Sequence, residues 1–159
     1  DGSGPLASGN MGEFLGGMLV PGPEGNSVRA GDIVSGRGII TALREAGISE
    51  TIAIGPDWDW RQYADIVEAW VEIAAKALAH VIVNTRCSFD LTSVVIDGIL
   101  PVDLLALLIE KVAVELEKLP VLFGRLPSLR QGELGPRAAM VGASRLPLQQ
   151  RFFNIDSGS

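Results

Sequence analysis

Two glycine-containing turns are the parts of the sequence best suited to hold a small ligand. Residues 97–101 (DGILP) and 132–136 (GELGP) each lie between a run that predicts a strand and a run that predicts a helix. In sheets of alternating strands and helices, ligands bind beyond the carboxyl ends of strands, beside helix N-termini that attract anions. Asp97 would repel a phosphate, so it is better suited to accept hydrogen bonds from a hydroxyl group or an amine. Both turns could equally be plain connections.

A glycine-flanked carboxylate near the start of the chain is a third candidate. Glu13 ends the loop-like segment 10–13 (NMGE), and a carboxylate in such a loop can accept hydrogen bonds from sugar hydroxyls. A solvated loop glutamate is the alternative interpretation.

Four further side chains could carry chemistry, and each has a structural alternative. His80, the only imidazole in the chain, would have to serve any Ser–His–Asp or Cys–His mechanism, but its pattern favours a hydrogen-bonded structural histidine. Cys87 is predicted to be a small buried residue. Trp58 and Trp60 could form a platform on which a sugar stacks, although an apolar cover at a helix start is favoured.

Composition excludes several functional classes. The chain has 159 residues, 13 Lys and Arg, 19 Asp and Glu, a net charge of −6, and a single cysteine and histidine. A disulfide framework needs paired cysteines, and a structural zinc site needs about four Cys or His ligands, so one cysteine and one histidine exclude both. A net-acidic chain without a basic run is a poor nucleic-acid binder by itself. With 47% hydrophobic residues, the chain should fold around a sizeable core.

The sequence gives no sign of a membrane span or of a secretory signal. The most apolar stretch, residues 66–83, is interrupted by charged residues, and residues 1–10 are rich in Gly and Ser. Together with the unpaired thiol, this favours a cytoplasmic location.

Periodicity predicts alternating helices and strands. Helices are expected at 33–45, 59–86, 102–119 and 135–146, and strands near 17–20, 92–96 and 127–131. Gly36 and Gly38 should weaken or divide the first helix. The second helix carries one polar stripe, which predicts burial on most of its other sides. Strands that alternate with helices predict parallel pairing and an α/β fold.

Four segments, in order, resemble motifs of the repressor, open reading frame, kinase (ROK) family. Residues 9–14 (GNMGEF) resemble G-x-x-G-E-I/F, and residues 34–39 (VSGRGI) resemble the A-S-G-x-x-I/L helix. Residues 94–98 (VVIDG) resemble the V-V-I/L-G-G-G strand and turn, and residues 134–143 (LGPRAAMVGA) resemble the closing L-G-x-x-A-x-x-x-G-A helix. The resemblance implies the C-terminal lobe of an actin-like, ribonuclease H-like ATPase fold, with a mixed or parallel sheet flanked by helices.

The resemblance also implies a sugar site. Of the family's sugar contacts only Glu13 survives, with Asn10 beside it and Asp32 near the place of a second glutamate. The family histidine that contacts sugar and zinc is replaced by Gly16-Gly17, and the cysteine-rich stretch that follows it has no Cys here. No metal site is therefore expected.

On the nucleotide side, the resemblance assigns the turn residues Asp97 and Gly98 and the helix start at Gly135. The family's glycine-only turn is replaced here by Asp97-Gly98-Ile99. The lobe with the D-x-G-G-T phosphate loop and the aspartate general base has no counterpart in the sequence. We therefore expect no catalytic residue and no phosphoryl transfer by this chain, which is interpreted as part of a longer protein.

Three functions remain open. The first is the effector-binding and oligomerisation region of a sugar-responsive transcriptional regulator, dimeric or tetrameric, whose DNA contacts lie in a domain outside this chain. The second is a sugar kinase of the same family, which alone would need ATP and Mg²⁺. The third is an oligomerisation module without a ligand. The expected ligand is a sugar or sugar phosphate, and the expected organisation is a hairpin and loop segment (1–28), an α/β lobe (29–150) and a frayed tail (151–159).

Overall fold

A computed structural model of the chain describes residues 16–88, 91–120 and 124–132, which form a mixed α/β structure. The elements in chain order are β1 (Leu19–Pro21), β2 (Ser27–Arg29), α1 (Ala30–Val34), α2 (Gly36–Glu45), a 3-10 helix (Trp60–Tyr63), α3 (Ala64–Ser88), β3 (Ser93–Ile96), α4 (Val102–Lys118) and β4 (Ser128–Gln131). The α/β class predicted from the sequence is therefore confirmed.

A short hairpin opens the described part of the chain. Strands β1 and β2 pair antiparallel, with Val20 opposite Val28. Gly25 lies in the connecting turn with a φ of 79°, a conformation that glycine adopts without strain. Val20 is buried and ties the hairpin to the core, whereas Leu19 beside it is exposed.

The helix predicted at 33–45 is divided in two, as its glycines suggested. Ser35 is extended, so α1 ends before it and α2 begins after it. The two pieces pack closely because Gly38 has no side chain: a Cβ atom there would overlap the carbonyl oxygen of Ile33. Gly38 is therefore a packing requirement rather than only a helix-weakening residue.

Helix α3 is the centre of the structure, as its narrow polar stripe predicted. It contacts β1, α1, α2 and α4. The stripe residues are exposed or partly exposed along the helix: Glu68, Glu72, Lys76, His80 and Asn84. On its buried side, the Trp70 indole N–H donates a 2.8 Å hydrogen bond to the Ile33 carbonyl, so the tryptophan both packs and satisfies a polar group of α1.

The second half of the described chain is a parallel β–α–β unit. Strands β3 and β4 pair parallel, with Ile96 opposite Gln131, and α4 connects them. Val94 and Ile96 are fully buried in β3. Helix α4 lays its leucine-rich side on α3 and lies close to β4. The parallel pairing predicted from the alternating elements is confirmed.

Two features differ from the predictions. The four described strands form two separate two-stranded sheets rather than one mixed sheet, because β1 and β2 pair locally across a tight turn whereas β3 and β4 pair across α4. Cys87, expected to be buried, is exposed because the last turn of α3 leaves the core. The predicted helix at 135–146 and the tail at 151–159 lie outside the described residues.

Candidate functional site

The turn that follows β3 lies at the carboxyl end of the parallel pair. Asp97 comes directly after β3 and Gly132 directly after β4, and the register places these two residues side by side. Gly132 donates its N–H to the Ile96 carbonyl over 2.9 Å, which extends the ladder to this edge. Pro101 then precedes α4, a position that suits its fixed backbone. The two turns singled out in the sequence therefore begin at the same edge of the sheet, beyond the carboxyl ends of β3 and β4.

The Asp97 carboxyl group is buried inside this turn. The residue is only 5% exposed, and its Oδ1 accepts a 2.8 Å hydrogen bond from the Gly98 N–H. A Cβ atom on Gly132 would overlap the Asp97 side chain, so glycine is required where β4 ends. The carboxylate thus occupies the place beside the turn amide that a bound anion would take.

A second carboxylate holds the start of α4. Asp103 Oδ1 accepts hydrogen bonds from the Trp60 indole at 3.3 Å and from the Leu104 N–H at 3.0 Å. Its other oxygen forms an ion pair with Arg61, whose guanidinium lies 5.3 Å from the centre of the Trp60 ring. Burial acts to raise the pKa of Asp103, but the hydrogen bonds from Trp60 and Leu104 and the charge of Arg61 together lower it.

Polar groups of the chain itself therefore occupy much of this helix start. Gln131 adds a 3.2 Å hydrogen bond from its amide to the Val102 carbonyl. Two carboxylates, Asp97 and Asp103, accept N–H groups here, and the nearby cation Arg61 is already paired. Such an arrangement opposes an anionic ligand and leaves carboxylate oxygens to accept hydrogen bonds from hydroxyl or amine groups.

The predicted sugar residues are not brought to this turn by the described structure. Asp32 is exposed in the first turn of α1, which packs on β2, α2 and α3 rather than on β3 or β4. Asn10 and Glu13 lie outside the described residues, as does Gly135 on the nucleotide side. Of the six predicted site residues, Asp97 and Gly98 are the two that the described structure places together.

The tryptophans near α3 belong to the core. Trp60 is 7% exposed and directs its indole N–H to Asp103, so the apolar cover predicted for it is confirmed and a sugar platform there is wrong. Trp58 is partly buried against the same core. His80 shares a 2.8 Å hydrogen bond between Nδ1 and the Lys76 carbonyl, which fits the structural histidine predicted from the sequence.

Two cavities of the described part lie away from Asp97. One of about 130 Å³ lies between α2 and the segment after it, including Leu43 and Ile52. An open groove of about 480 Å³ runs between α3 and α4 and includes Glu72 and Lys111. The 2.7 Å ion pair of Lys111 with Glu72 lowers the pKa of Glu72 and raises the pKa of Lys111. Among residues 16–88, 91–120 and 124–132, no three His, Cys, Asp or Glu side chains converge as metal ligands would.

Sequence reasoning missed two parts of this region. The contact of Trp60 and Arg61 with Asp103 joins residues 43 positions apart, but Asp103 in the first turn after Pro101 was a visible sign of a helix start. The turns at 97–101 and 132–136 were both predicted at strand ends, but the contact between Asp97 and Gly132 was not, although a parallel register of β3 and β4 places the two residues side by side.

Comparison with known proteins assigns nothing further. No family model matches the sequence, and no curated protein matches it. No helix in the described part of the chain is both long and apolar enough to cross a membrane.

Proposed function

We propose that this chain is the effector-binding and oligomerisation region of a ROK-family, sugar-responsive transcriptional regulator with an actin-like ATPase fold, acting in the cytoplasm. The order of elements supports the proposal. The motif-like segment at 34–39 contains the break between α1 and α2, and the segment at 94–98 contains the end of β3 and its turn. DNA contacts would come from a domain outside this chain, in keeping with the net charge of −6.

The state of Asp97 is the observation that carries the proposal. In the family's kinases, the corresponding turn is glycine-only and lies on the nucleotide side. Here the Asp97 carboxylate is buried in that turn and accepts the Gly98 N–H. A second negative charge from a phosphate would be placed against it, and the nearby cation Arg61 is already paired with Asp103. A regulator tolerates this loss, because it needs only a ligand that favours one conformation over another.

The test is a calorimetric titration of the whole chain with a panel of neutral hexoses and N-acetylhexosamines. We expect saturable heat for at least one sugar. Absence of heat for every sugar, together with self-association in sedimentation, would favour an oligomerisation module without a ligand. Phosphorylation of a hexose at the expense of ATP by the longer protein would favour the kinase and contradict the proposal.

Replacement of Glu13 tests the sugar contact implied by the resemblance. Glu13→Ala should weaken the affinity for the sugar found in the panel by about tenfold, the loss expected for a hydrogen bond to a charged group. Glu24→Ala, which removes an exposed loop carboxylate, is the matched control and should leave the affinity unchanged. Equal affinities for the two variants would show that Glu13 does not contact the sugar.

A further inference from the structure

Asp97 differs from the other buried polar residues of the described ranges because its charge is not neutralised. Thr85 donates its hydroxyl to a backbone carbonyl of α3 at 2.7 Å, and Glu115 pairs with Lys118 at 2.8 Å. Asp97, which is 5% exposed, accepts only the Gly98 N–H, and no Lys, Arg or His of the described part forms an ion pair with it. A buried carboxylate without a cation destabilises the structure around it.

The second oxygen of Asp97 is the part of this carboxylate that is open to a ligand. Oδ1 is held by Gly98, whereas Oδ2 accepts no hydrogen bond from the described residues. Oδ2 is not fully enclosed, so a small group can reach it from solvent. Water can donate a hydrogen bond there but leaves the charge in place. A cationic donor at Oδ2 would supply both the hydrogen bond and the opposite charge.

The surroundings of Asp97 favour an ammonium group over a metal ion. Ca²⁺ and Mg²⁺ require several oxygen ligands. The other carboxylate at the start of α4, Asp103, has both oxygens engaged in the hydrogen bonds and the ion pair described above. An ammonium group needs one charged acceptor and can donate its other hydrogens to water or to backbone carbonyls. The charges of Asp97, Asp103 and Arg61 together leave one negative charge at this edge of the sheet, which matches one ammonium group.

We propose that Asp97 binds the ammonium group of a small primary amine at the carboxyl ends of β3 and β4. The ammonium group would donate to Oδ2, while the Gly98 N–H keeps Oδ1 in place. Ligands of α/β sheets bind at this edge. The positive end of the α4 dipole is offset by Asp103 in the first turn of the helix, so it does not exclude a cation. The proposal concerns this turn alone and does not depend on sugar binding through Glu13.

The probe is ethylammonium, added to the whole chain at constant ionic strength and followed through the amide NMR signal of Gly98. We expect a saturable shift with a Kd of about 1–10 mM. Tetramethylammonium carries the charge without an N–H, and ethanol carries a hydroxyl without a charge, so neither should give a saturable shift. Asp97→Asn, which keeps the shape of the side chain, should weaken binding by at least about tenfold. Asp57→Asn, at an exposed loop carboxylate, is the matched control and should keep the affinity within about twofold.

A melting experiment distinguishes this site from a carboxylate that the fold itself neutralises. Arg130 is the cation to consider, because it lies on β4 on the same side of the sheet as Asp97. We expect Asp97→Asn to melt no lower than the unaltered chain, and ethylammonium to raise the melting temperature of the unaltered chain alone. The proposal is overturned if Asp97→Asn melts more than about 4 °C lower, or if ethylammonium binds only to Arg130→Gln. It is also overturned by the absence of a saturable shift, by equal binding to Asp97→Asn, or by the same shift with tetramethylammonium or ethanol.

Discussion

The two halves of the described chain use glycine to different extents for close packing, although both bury large side chains such as Ile39 in α2 and Leu104 in α4. From β1 to α2, backbone segments approach each other where side chains are missing: Gly31 lies against Gly16, and Gly38 against the Ile33 carbonyl. In the β3–α4–β4 unit, large side chains such as Leu104 and Leu108 fill the space instead. The glycines of the first half should therefore be sensitive to added atoms, and the leucines of α4 to removed atoms.

Removal of a leucine from α4 should have the largest effect. Leu108→Ala should lower the free energy of unfolding by about 2–5 kcal/mol, because Leu108 is fully buried and its loss leaves a cavity. Urea denaturation followed by circular dichroism measures the change. The control is Val114→Ala on the exposed side of the same helix, which should change the free energy by about 0.5 kcal/mol or less. Equal effects of the two variants would mean that α4 does not pack on α3 as described.

Addition of a methyl group at Gly38 should have the next largest effect. Gly38→Ala should destabilise the fold by about 1–3 kcal/mol in the same denaturation experiment, since the new atom overlaps the Ile33 carbonyl. Gly55→Ala is the matched control because nothing lies within 4 Å of a Cβ atom there. A Gly38→Ala variant as stable as the Gly55→Ala variant would remove the proposed difference between the two halves.

The end of β4 is an exception within the second half, where packing again depends on a glycine. Gly132→Ala should lower stability by about 1–2 kcal/mol, because the methyl group meets the buried Asp97 side chain. In an Asp97→Gly background the same change should lower stability by less than about 0.5 kcal/mol. A double-mutant cycle without coupling would show that Asp97 and Gly132 are not in contact.

Acid should lower the free energy of unfolding through Asp103, which joins the 3-10 helix to α4, and this effect should be smaller than those of the three substitutions above. The pKa of Asp103 lies below its ordinary value of 3.8, so the ionised form stabilises the fold. The stabilisation by the ionised Asp103 is fully present above pH 3.8, and it is lost as the pH falls through the lowered pKa of the folded protein. Asp103 is partly exposed, so the effect should stay below about 1 kcal/mol.

The comparison protein for this effect is Asp103→Asn, which keeps the shape of the side chain. Its stability should fall less steeply between about pH 5 and pH 2 than that of the unaltered chain. Parallel acid profiles for the two proteins would indicate that Asp103 carries no stabilising charge.

Local pattern was sufficient to predict most of the elements. The polar stripe of α3, the β-branched run of β3 and the prolines around α4 each predicted an element within a few residues of its observed bounds. Parallel pairing of β3 and β4 followed from their alternation with a helix. These signals are local in sequence, and the structure preserves them because packing and propensity agree.

Long-range contacts could not be predicted in the same way. The burial of Asp97 against Gly132, and the approach of Trp60 to Asp103, depend on which segments meet in three dimensions. Cys87 was predicted to be buried as a small residue near the end of an apolar helix, but the final turn of α3 extends beyond the core. Periodicity indicates a buried face without showing where the core ends.

Whether the turn after β3 excludes phosphate is tested most directly by calorimetric titration of the whole chain with MgADP. Because the buried Asp97 carboxylate already accepts the Gly98 N–H, we predict no saturable binding up to about 1 mM nucleotide. Saturable binding of MgADP with a Kd in the micromolar range would contradict the proposed regulator and favour the kinase.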